Sequence, residues 1–381
     1  MSEKVSICFI ALGAYPLLTG KDAKNIIGPD VHQVTLAKEL VNQGFEVSII
    51  VYGNEFCQIE YIKGIKVIQI CNKTHKLRFI DMLLKAFAVC NAMIKSKAHI
   101  FYNAGGGSGI ISIFSKIIRT KFIYEIASDA QVNRKIIIKK NREFSKSILS
   151  LERIGNLVDI KLADKIIVQT LYQKNTLESN FRVDSYLIKM PFQIPRDRIP
   201  FKEKPPIVLW VGSMAEVKQP QLFLELAMRF PEQRFQMIGG NSGDQKLYTA
   251  LEKKSEEILN LDFLGVVPLS EIDKYFRKAS LLVNTSMFEG FPNAFIQAWI
   301  NYTPVVSLHS NPDKILDKFN IGVHSQNFDQ LLEDIKMMLN NDKLREKMGI
   351  NGRKYVENEH NIQNNILKYI KLINGCYKDV E

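Results

Sequence analysis

The residues best suited to chemistry lie in the run Ser286-Met-Phe-Glu-Gly-Phe-Pro-Asn-Ala-Phe-Ile-Gln297, inside a segment from Leu281 to Leu308 that reads strand, loop, helix, strand. Pro292 fits the first helical position, where a missing N–H removes no helical hydrogen bond. The amides of Asn293, Ala294 and Phe295 are then expected to point out of the helix N-terminus. Free donors and the positive end of the helix dipole coincide there, which suits a diphosphate. Gly290 allows close approach of backbone to ligand. Glu289, just before the helix, can hold sugar hydroxyls, and Gln297, about a turn further in, can reach a ribose. This loop follows the carboxyl end of a strand, where open α/β sheets bind ligands. A second candidate is Gly105-Gly-Gly-Ser-Gly109, which follows the short strand Ile100–Tyr102 and opens a helix. It has the look of a phosphate cradle but lacks the Lys-Ser/Thr of a P-loop, which argues against nucleotide triphosphate hydrolysis. Lining an acceptor site is the more economical role.

The elements that must position these residues alternate between β-rich runs and helical patterns. In the N-terminal half, Val5–Leu12, Val47–Val51, Ile65–Ile70, Ile100–Tyr102, Phe122–Ala127 and Lys165–Gln169 read as strands. Val31, Val34, Ala37, Leu40 and Val41 recur at helical spacing until Gly44, and Phe79–Ala92 also reads as helix. Five prolines between Pro191 and Pro206 disfavour both helix and central strand, so a linker is expected there. The alternation restarts with strands at Ile207–Val211, Phe235–Ile238, Leu261–Leu264, Leu281–Asn284 and Pro304–Leu308, and a helix at Gln219–Arg229. From Leu331 the chain reads as largely helical. This pattern predicts two doubly wound α/β domains with parallel sheets and a cleft between them.

The segment around Glu289 resembles the signature of glycosyltransferase family 4, whose fold is GT-B. The family pattern is Glu, seven residues, Glu, within a phrase close to "EGFP…EA…G.PVV", and this chain reads Glu289-Gly-Phe-Pro-Asn-Ala-Phe-Ile-Gln-Ala-Trp-Ile-Asn-Tyr-Thr-Pro-Val-Val306. The second acid is replaced by Gln297, whose amide still donates to and accepts from hydroxyls. The family's second signature is "VGR" with a Lys five residues after the Arg; here it is Val211-Gly212-Ser213 and then Lys218. The resemblance makes Lys218 the cation for the donor diphosphate, with Ser213 standing where an Arg is usual. It assigns the donor to Gly212, Ser213, Lys218, Gly239, Val266, Glu289, Gly290, Phe291, Pro292, Asn293, Ala294 and Gln297. On the acceptor side it points to Gly28, in the Gly28-Pro29-Asp30 sequence expected just before the first long helix, and to Ser128; His32, near the same helix start, and Gly105 and Gly106 of the glycine run are the further acceptor-side candidates. Asp129, at the end of Tyr124-Glu-Ile-Ala-Ser-Asp129, is the candidate to orient or deprotonate an acceptor hydroxyl, and Glu289, Lys218 and Asp129 form the expected catalytic set.

The resemblance implies a retaining transferase that moves a sugar from a nucleotide-sugar to a glycan or lipid-linked acceptor, with no metal and no cofactor beyond the donor itself. It implies an acceptor-binding domain over residues 1–195, a donor-binding domain over 196–360, and a last helix from 361 to 381 crossing back to the first domain. A GT-B nucleotide-sugar epimerase, a basic nucleic-acid-binding protein and a degenerate, inactive transferase are the alternatives.

Composition fits this class. The chain of 381 residues is 46% hydrophobic and 24% charged, as expected of globular domains and not of disordered or fibrous chains. Its five scattered cysteines show no CxxC pairing, so a zinc site or disulfide framework is not expected and a reducing cytosol is. Val5–Leu12 is too short to span a bilayer, and no leader pattern is read. The net charge of +11 favours an anionic partner. Part of it is concentrated in Arg134-Lys-Ile-Ile-Ile-Lys-Lys-Asn-Arg142 and Lys146, a mixture suited to an anionic membrane surface. No nucleic-acid motif accompanies the charge, which argues against a nucleic-acid partner.

Overall fold

The computed structural model describes residues 4–20, 28–53, 58–72, 77–133, 148–196 and 201–378. The basic stretch from Arg134 to Lys146 lies outside them. The chain divides into two compact units, one comprising Met1–Lys21, Ile26–Phe192 and Ile362–Glu381, the other Gln193–Asn361.

The first unit contains strands β1 (Ser6–Ile10), β2 (Glu46–Gly53), β3 (Ile59–Ile62), β4 (Ile65–Cys71), β5 (Ile100–Ala104), β6 (Lys121–Glu125), β7 (Lys165–Val168) and β8 (Tyr186–Leu187). They form one sheet in the order β3-β4-β2-β1-β5-β6-β7-β8. All pairs are parallel except β3 with β4. Helices α1 (Tyr15–Thr19), α2 (Gly28–Asn42), α3 (Arg78–Ser96), α4 (Ile110–Ile117), α5 (Ile148–Leu162) and α6 (Leu171–Phe181) connect the strands. Every residue of β1 and β5 is buried, the mark of central strands covered on both faces.

The second unit contains β9 (Ile207–Val211), β10 (Arg234–Ile238), β11 (Leu261–Gly265), β12 (Leu281–Asn284), β13 (Val305–Ser307) and β14 (Gly322–His324). Its all-parallel order is β11-β10-β9-β12-β13-β14. Its helices are α7 (Pro220–Arg229), α8 (Gln245–Ser255), α9 (Leu269–Lys278), α10 (Asn293–Ile300), α11 (Ile315–Lys318), α12 (Phe328–Leu339) and α13 (Asp342–Glu359). Numbered within the unit, the strand order is 3-2-1-4-5-6, that of a dinucleotide-binding sheet, whose direction of winding reverses between β9 and β12.

The doubly wound parallel sheets agree with the sequence reading. β3, β8 and β14 are additional, short strands at or near the sheet edges, where weak hydrophobic alternation gives little signal. The last helix, α14 (Ile362–Lys378), belongs to the first unit. Its Ile366, Tyr369, Leu372, Ile373 and Cys376 recur at helical spacing and join the core formed by Ile7, Phe9, Val34 and Leu40.

Two glycines fix α10, the helix behind Pro292. A Cβ on Gly349 of α13 would collide with the Tyr302 carbonyl, and one on Gly352 with the Trp299 ring. Glycine at both positions lets α13 lie directly against the far side of α10. Trp299 adds an indole N–H bond to the Ile321 carbonyl at 3.0 Å.

Candidate functional site

The loops after β9 and β12 flank the point where the second sheet reverses, and each contributes one charged group. The loop after β9 ends in a 3₁₀ turn, Glu216–Lys218, and that after β12 carries Glu289. Lys218 Nζ donates to Glu289 Oε1 at 2.5 Å, and both side chains are partly exposed, at 23% and 12%. The backbone joins the two loops independently of this pair. Met287 N–H donates to the Val217 carbonyl at 2.8 Å, and the Thr285 hydroxyl to the Lys218 carbonyl at 2.7 Å. Trp210 of β9 donates in turn to Thr285 Oγ1 at 2.9 Å. Asn284, buried at the end of β12, points its amide towards Glu289 Oε1 at 3.5 Å. Trp210, Asn284 and Thr285 carry no separate signal in the sequence, lying within or directly after apolar strands.

Helix α10 begins one residue later than expected. Pro292 is its N-cap in extended geometry (φ −68°, ψ 121°), and Asn293 is the first helical residue. The Phe295 amide is also not outward-facing, because it donates to the Pro292 carbonyl at 3.0 Å. The first-turn donors are therefore those of Asn293 and Ala294. Within α10 only Asn293, Ala294 and Gln297 are partly accessible, and the other five residues are buried. Gln297 lies four residues beyond Asn293 and three beyond Ala294, so the three adjoin on one side of the helix, which presents a single small accessible face. Phe291 is buried, its ring 4.8 Å from that of His360, and Gly290 is buried beside Glu289.

The other donor-side candidates sit on neighbouring strand ends. A Cβ on Gly239 would collide with the Gly212 carbonyl, so glycine there allows the loops after β9 and β10 to close together. Gly239 N–H donates to the Gly265 carbonyl at 2.8 Å, which brings in the loop after β11 and, next to it, the exposed Val266. Ser213 is partly accessible between Gly212 and the buried Met214. Gly212, Ser213, Lys218, Gly239, Val266 and Glu289 to Gln297 thus all lie at the carboxyl ends of the second sheet. A cavity of about 490 Å³ in the same unit, lined by Lys202, Tyr302 and Arg345 among others, shares none of these residues.

In the first unit Gly28-Pro29-Asp30 does not precede the helix but forms the first turn of α2. Pro29 meets Gly105, whose φ of 89° and proximity to Pro29 and Ala127 suit a residue without a side chain. Gly28, Gly105, Gly106, Ser128 and Asp129 therefore gather at the carboxyl ends of β5 and β6 and the start of α2.

His32 is buried, not open to a ligand. Its Nε2 lies 2.8 Å from Glu125 Oε2, deep in the unit. Glu125, fully buried at the end of β6, also accepts from the Tyr102 hydroxyl and from Gln169 Nε2 at 2.9 Å. Burial would raise the Glu125 pKa, but the His32 interaction and the hydrogen bonds outweigh it and hold the carboxyl below its usual range. Glu125 lies in the same strand-end motif as Asp129, but a carboxylate inside a strand reads in sequence as an ordinary edge residue. Ser128 and Asp129 have structural partners. Ser128 Oγ accepts from the Ala130 amide in a capping box with Gln131, and Asp129 Oδ1 accepts from Gln173 Nε2 at 3.0 Å.

The glycine run after β5 is not an open phosphate cradle. Asp159 of α5 occupies the N-terminus of α4, accepting from the Gly109 amide at 3.1 Å and from the Ser112 hydroxyl at 2.5 Å. A Cβ on Gly107 would meet Asn156 and Asp159, and one on Gly155 would meet the Gly107 and Ser108 backbone. The glycines serve helix packing, and an internal carboxylate fills the site an anion would take.

Asp30 was not singled out for chemistry in the sequence. It is 5% exposed, next to Gly13, and burial pushes its pKa up to about 6. The folded chain therefore favours its protonated form, and stability is lost as pH rises from about 4 through 6. Asp30→Asn is expected to stabilise the fold at pH 7.5 by up to about 3 kcal/mol, seen as a higher thermal midpoint, and to leave the midpoint nearly unchanged at pH 4. Equal gains at both pH values in a thermal melt would show that ionisation is not the cause.

These geometries define a class. Two doubly wound α/β units, the second with charged loops on either side of its sheet reversal, form the GT-B glycosyltransferase fold. Residues 192–355 match the family model of glycosyl transferases group 1. It is 25% identical over 340 residues to an uncharacterized glycosyltransferase of Methanocaldococcus jannaschii, covering 86% of this chain and 89% of that one. Among solved structures it is similar to sucrose-phosphate synthase from Thermosynechococcus elongatus, with a TM-score of 0.78 at 16% identity over 99% of this chain and 100% of that one. It is also similar to HepE of Anabaena in complex with UDP and glucose, with a TM-score of 0.72 at 13% identity over 97% and 100%.

Proposed function

We propose that the protein transfers a sugar from a nucleotide-sugar to a hydroxyl of a glycan or lipid-linked acceptor, with retention and without a metal. The observation that carries this reading is the Lys218–Glu289 pair at the reversal of the second sheet, next to the accessible face Asn293, Ala294 and Gln297 of α10. Lys218 and the Asn293 and Ala294 amides hold the donor diphosphate, Glu289 the transferred sugar, and Gln297 the ribose. Gly212, Ser213, Gly239 and Val266 supply close backbone around the nucleotide. The charge that grows on the β-phosphate as the glycosidic bond breaks is met by Lys218, an interaction stronger in the transition state than in the ground state. The departing phosphate takes the acceptor proton, so the protein needs to position the substrates and exclude water more than to supply a nucleophile.

The first unit provides the acceptor side through Gly28, Gly105, Gly106, Ser128 and Asp129, with His32 acting through Glu125 to hold the floor beneath them. Asp129 orients the acceptor hydroxyl. An anionic membrane surface is a further partner of this unit, consistent with the charge of the chain.

A thermal-shift screen tests the donor side. A bound ligand raises the midpoint by mass action, and UDP heads the screen because HepE, of the same fold, is solved with UDP and glucose. UDP and a UDP-sugar are both expected to raise the midpoint of the wild type. Glu289→Ala is expected to retain the UDP shift, to lose the additional shift from the sugar, and to lower transfer about 100-fold. A variant that keeps both the sugar-dependent shift and wild-type turnover removes Glu289 from the site. Conversion of the nucleotide-sugar to its epimer without any acceptor would favour an epimerase.

A further inference from the structure

Helix α3 is apolar on both of its faces. One face, with Ala88, Val89, Ala92 and Met93, is buried in the core of the first unit. On a helix of 3.6 residues per turn, Phe79, Ile80, Leu83, Leu84, Phe87 and Ile94 project from the opposite face. They are 67%, 43%, 51%, 46%, 67% and 58% exposed. A solvent-facing helix of a globular domain normally carries charged and polar residues there; a helix apolar all round belongs in a core or in lipid. The neighbouring α4 extends the patch with Ile113 and Ile117, 47% and 67% exposed. Six large side chains on one helix and two on the next exceed the scattered exposed apolar residues that need no explanation.

We propose that the exposed faces of α3 and α4 form the surface by which the first unit sits on an anionic lipid bilayer, with Phe79, Leu83 and Phe87 entering the headgroup–acyl boundary. The charge distribution selects this occupant. The first unit holds 29 Lys and Arg against 17 Asp and Glu, a net of +12, whereas the rest of the chain holds 22 against 23. The whole basic excess of the protein therefore lies on the unit that exposes the apolar helix. Lys95 and Arg119 are exposed at the ends of α3 and α4, beside Ile94 and Ile117. An apolar stripe with basic groups at its ends matches the interface of an anionic leaflet, where apolar insertion and attraction to lipid charge act together. A second copy of this basic unit would bring like charges together at the same patch. No helix among the described residues is long and apolar enough to cross a membrane. The surface deepens the membrane partner proposed above and rests on that part of the reading, not on sugar transfer.

Vesicle co-sedimentation tests it, using the full chain with vesicles of phosphatidylcholine alone and of phosphatidylcholine with about one third phosphatidylglycerol. The wild type is expected to partition onto the anionic vesicles at least tenfold more than onto the neutral ones, less so in high salt. Phe79→Gln, Leu83→Gln and Phe87→Gln combined are expected to lower that partitioning at least tenfold without changing the thermal midpoint, because these side chains are exposed. Arg119→Ser with Lys95→Ser is expected to weaken binding to anionic vesicles only. The proposal is overturned if the wild type binds neither vesicle, or if the triple variant binds as the wild type does. It is equally overturned if light scattering shows a wild-type dimer that the triple variant abolishes, since a second copy would then cover the patch. Sugar transfer enters none of these readouts, so failure here leaves the donor-site reading standing, and failure of transfer leaves this one.

Discussion

Lys218→Ala is expected to lower kcat/KM for sugar transfer by about 10²–10³-fold, or ~3–4 kcal/mol of transition-state stabilisation, while leaving the fold intact. The catalytic loss follows from position. Lys218 is the cation of the loop that follows the first strand of the second sheet, and Ser213 stands where the family pattern has an arginine. In the proposed reading a single ammonium, with the Asn293 and Ala294 amides, then meets the departing diphosphate. The structural tolerance follows from exposure. The Lys218–Glu289 pair is partly solvated, and such pairs contribute at most about 1 kcal/mol to stability. The loop is also held through backbone atoms, by Thr285 on the Lys218 carbonyl and Met287 on the Val217 carbonyl, which the substitution leaves in place. Lys218→Arg, which keeps the charge but not its shape, is expected to recover part of the rate. Steady-state kinetics with a melt of each variant separates the two effects, and a loss in Lys218→Ala below fivefold would sink the assignment.

Glu125→Leu is expected to act in the opposite way, destabilising the first unit by about 3–5 kcal/mol. Its carboxylate accepts from Tyr102 and Gln169 and faces His32 with no solvent access, so its removal leaves three buried polar groups without their partner. Glu125→Gln, which keeps an acceptor, is expected to cost less. The pH dependence has a definite sign. The native carboxyl is held below its usual range, mainly by His32 and the hydrogen bonds acting against burial. The stabilisation is thus fully present above the unfolded value of about 4.3 and is lost as pH falls through the native value. Urea unfolding at pH 7 and at about pH 3 should show the gap between wild type and Glu125→Leu narrowing in acid, and a constant difference would mean that the carboxylate charge is not involved.

The contrast between these residues shows what was legible. Lys218 and Glu289 carry strong sequence signals, because loops at strand ends must present particular groups at particular spacings: a glycine where backbone closes in, a proline at a helix start, a charge beside it. The Glu125 cluster draws on β5, β6, α2 and the segment after β7, with partners up to 93 residues apart in the chain, and no local spacing records that meeting. For the same reason the Gly105–Gly109 run was misleading. Glycine-rich loops at helix starts look alike whether they receive a phosphate or a carboxylate from their own protein, and only the packing of α5 brings Asp159 to this one.

By itself, then, the sequence determined the two doubly wound parallel sheets and marked Lys218, Glu289 and Gln297 as candidate site residues. Hydrophobic period and turn chemistry are local properties and survive in a linear string. Only the tertiary structure decided that α10 exposes a single face of Asn293, Ala294 and Gln297, that His32 is buried against Glu125, and that α3 leaves Phe79, Leu83 and Phe87 uncovered. Each of these depends on which face of an element finds a neighbour, and an apolar residue that has lost its neighbour reads the same in sequence as one that has kept it.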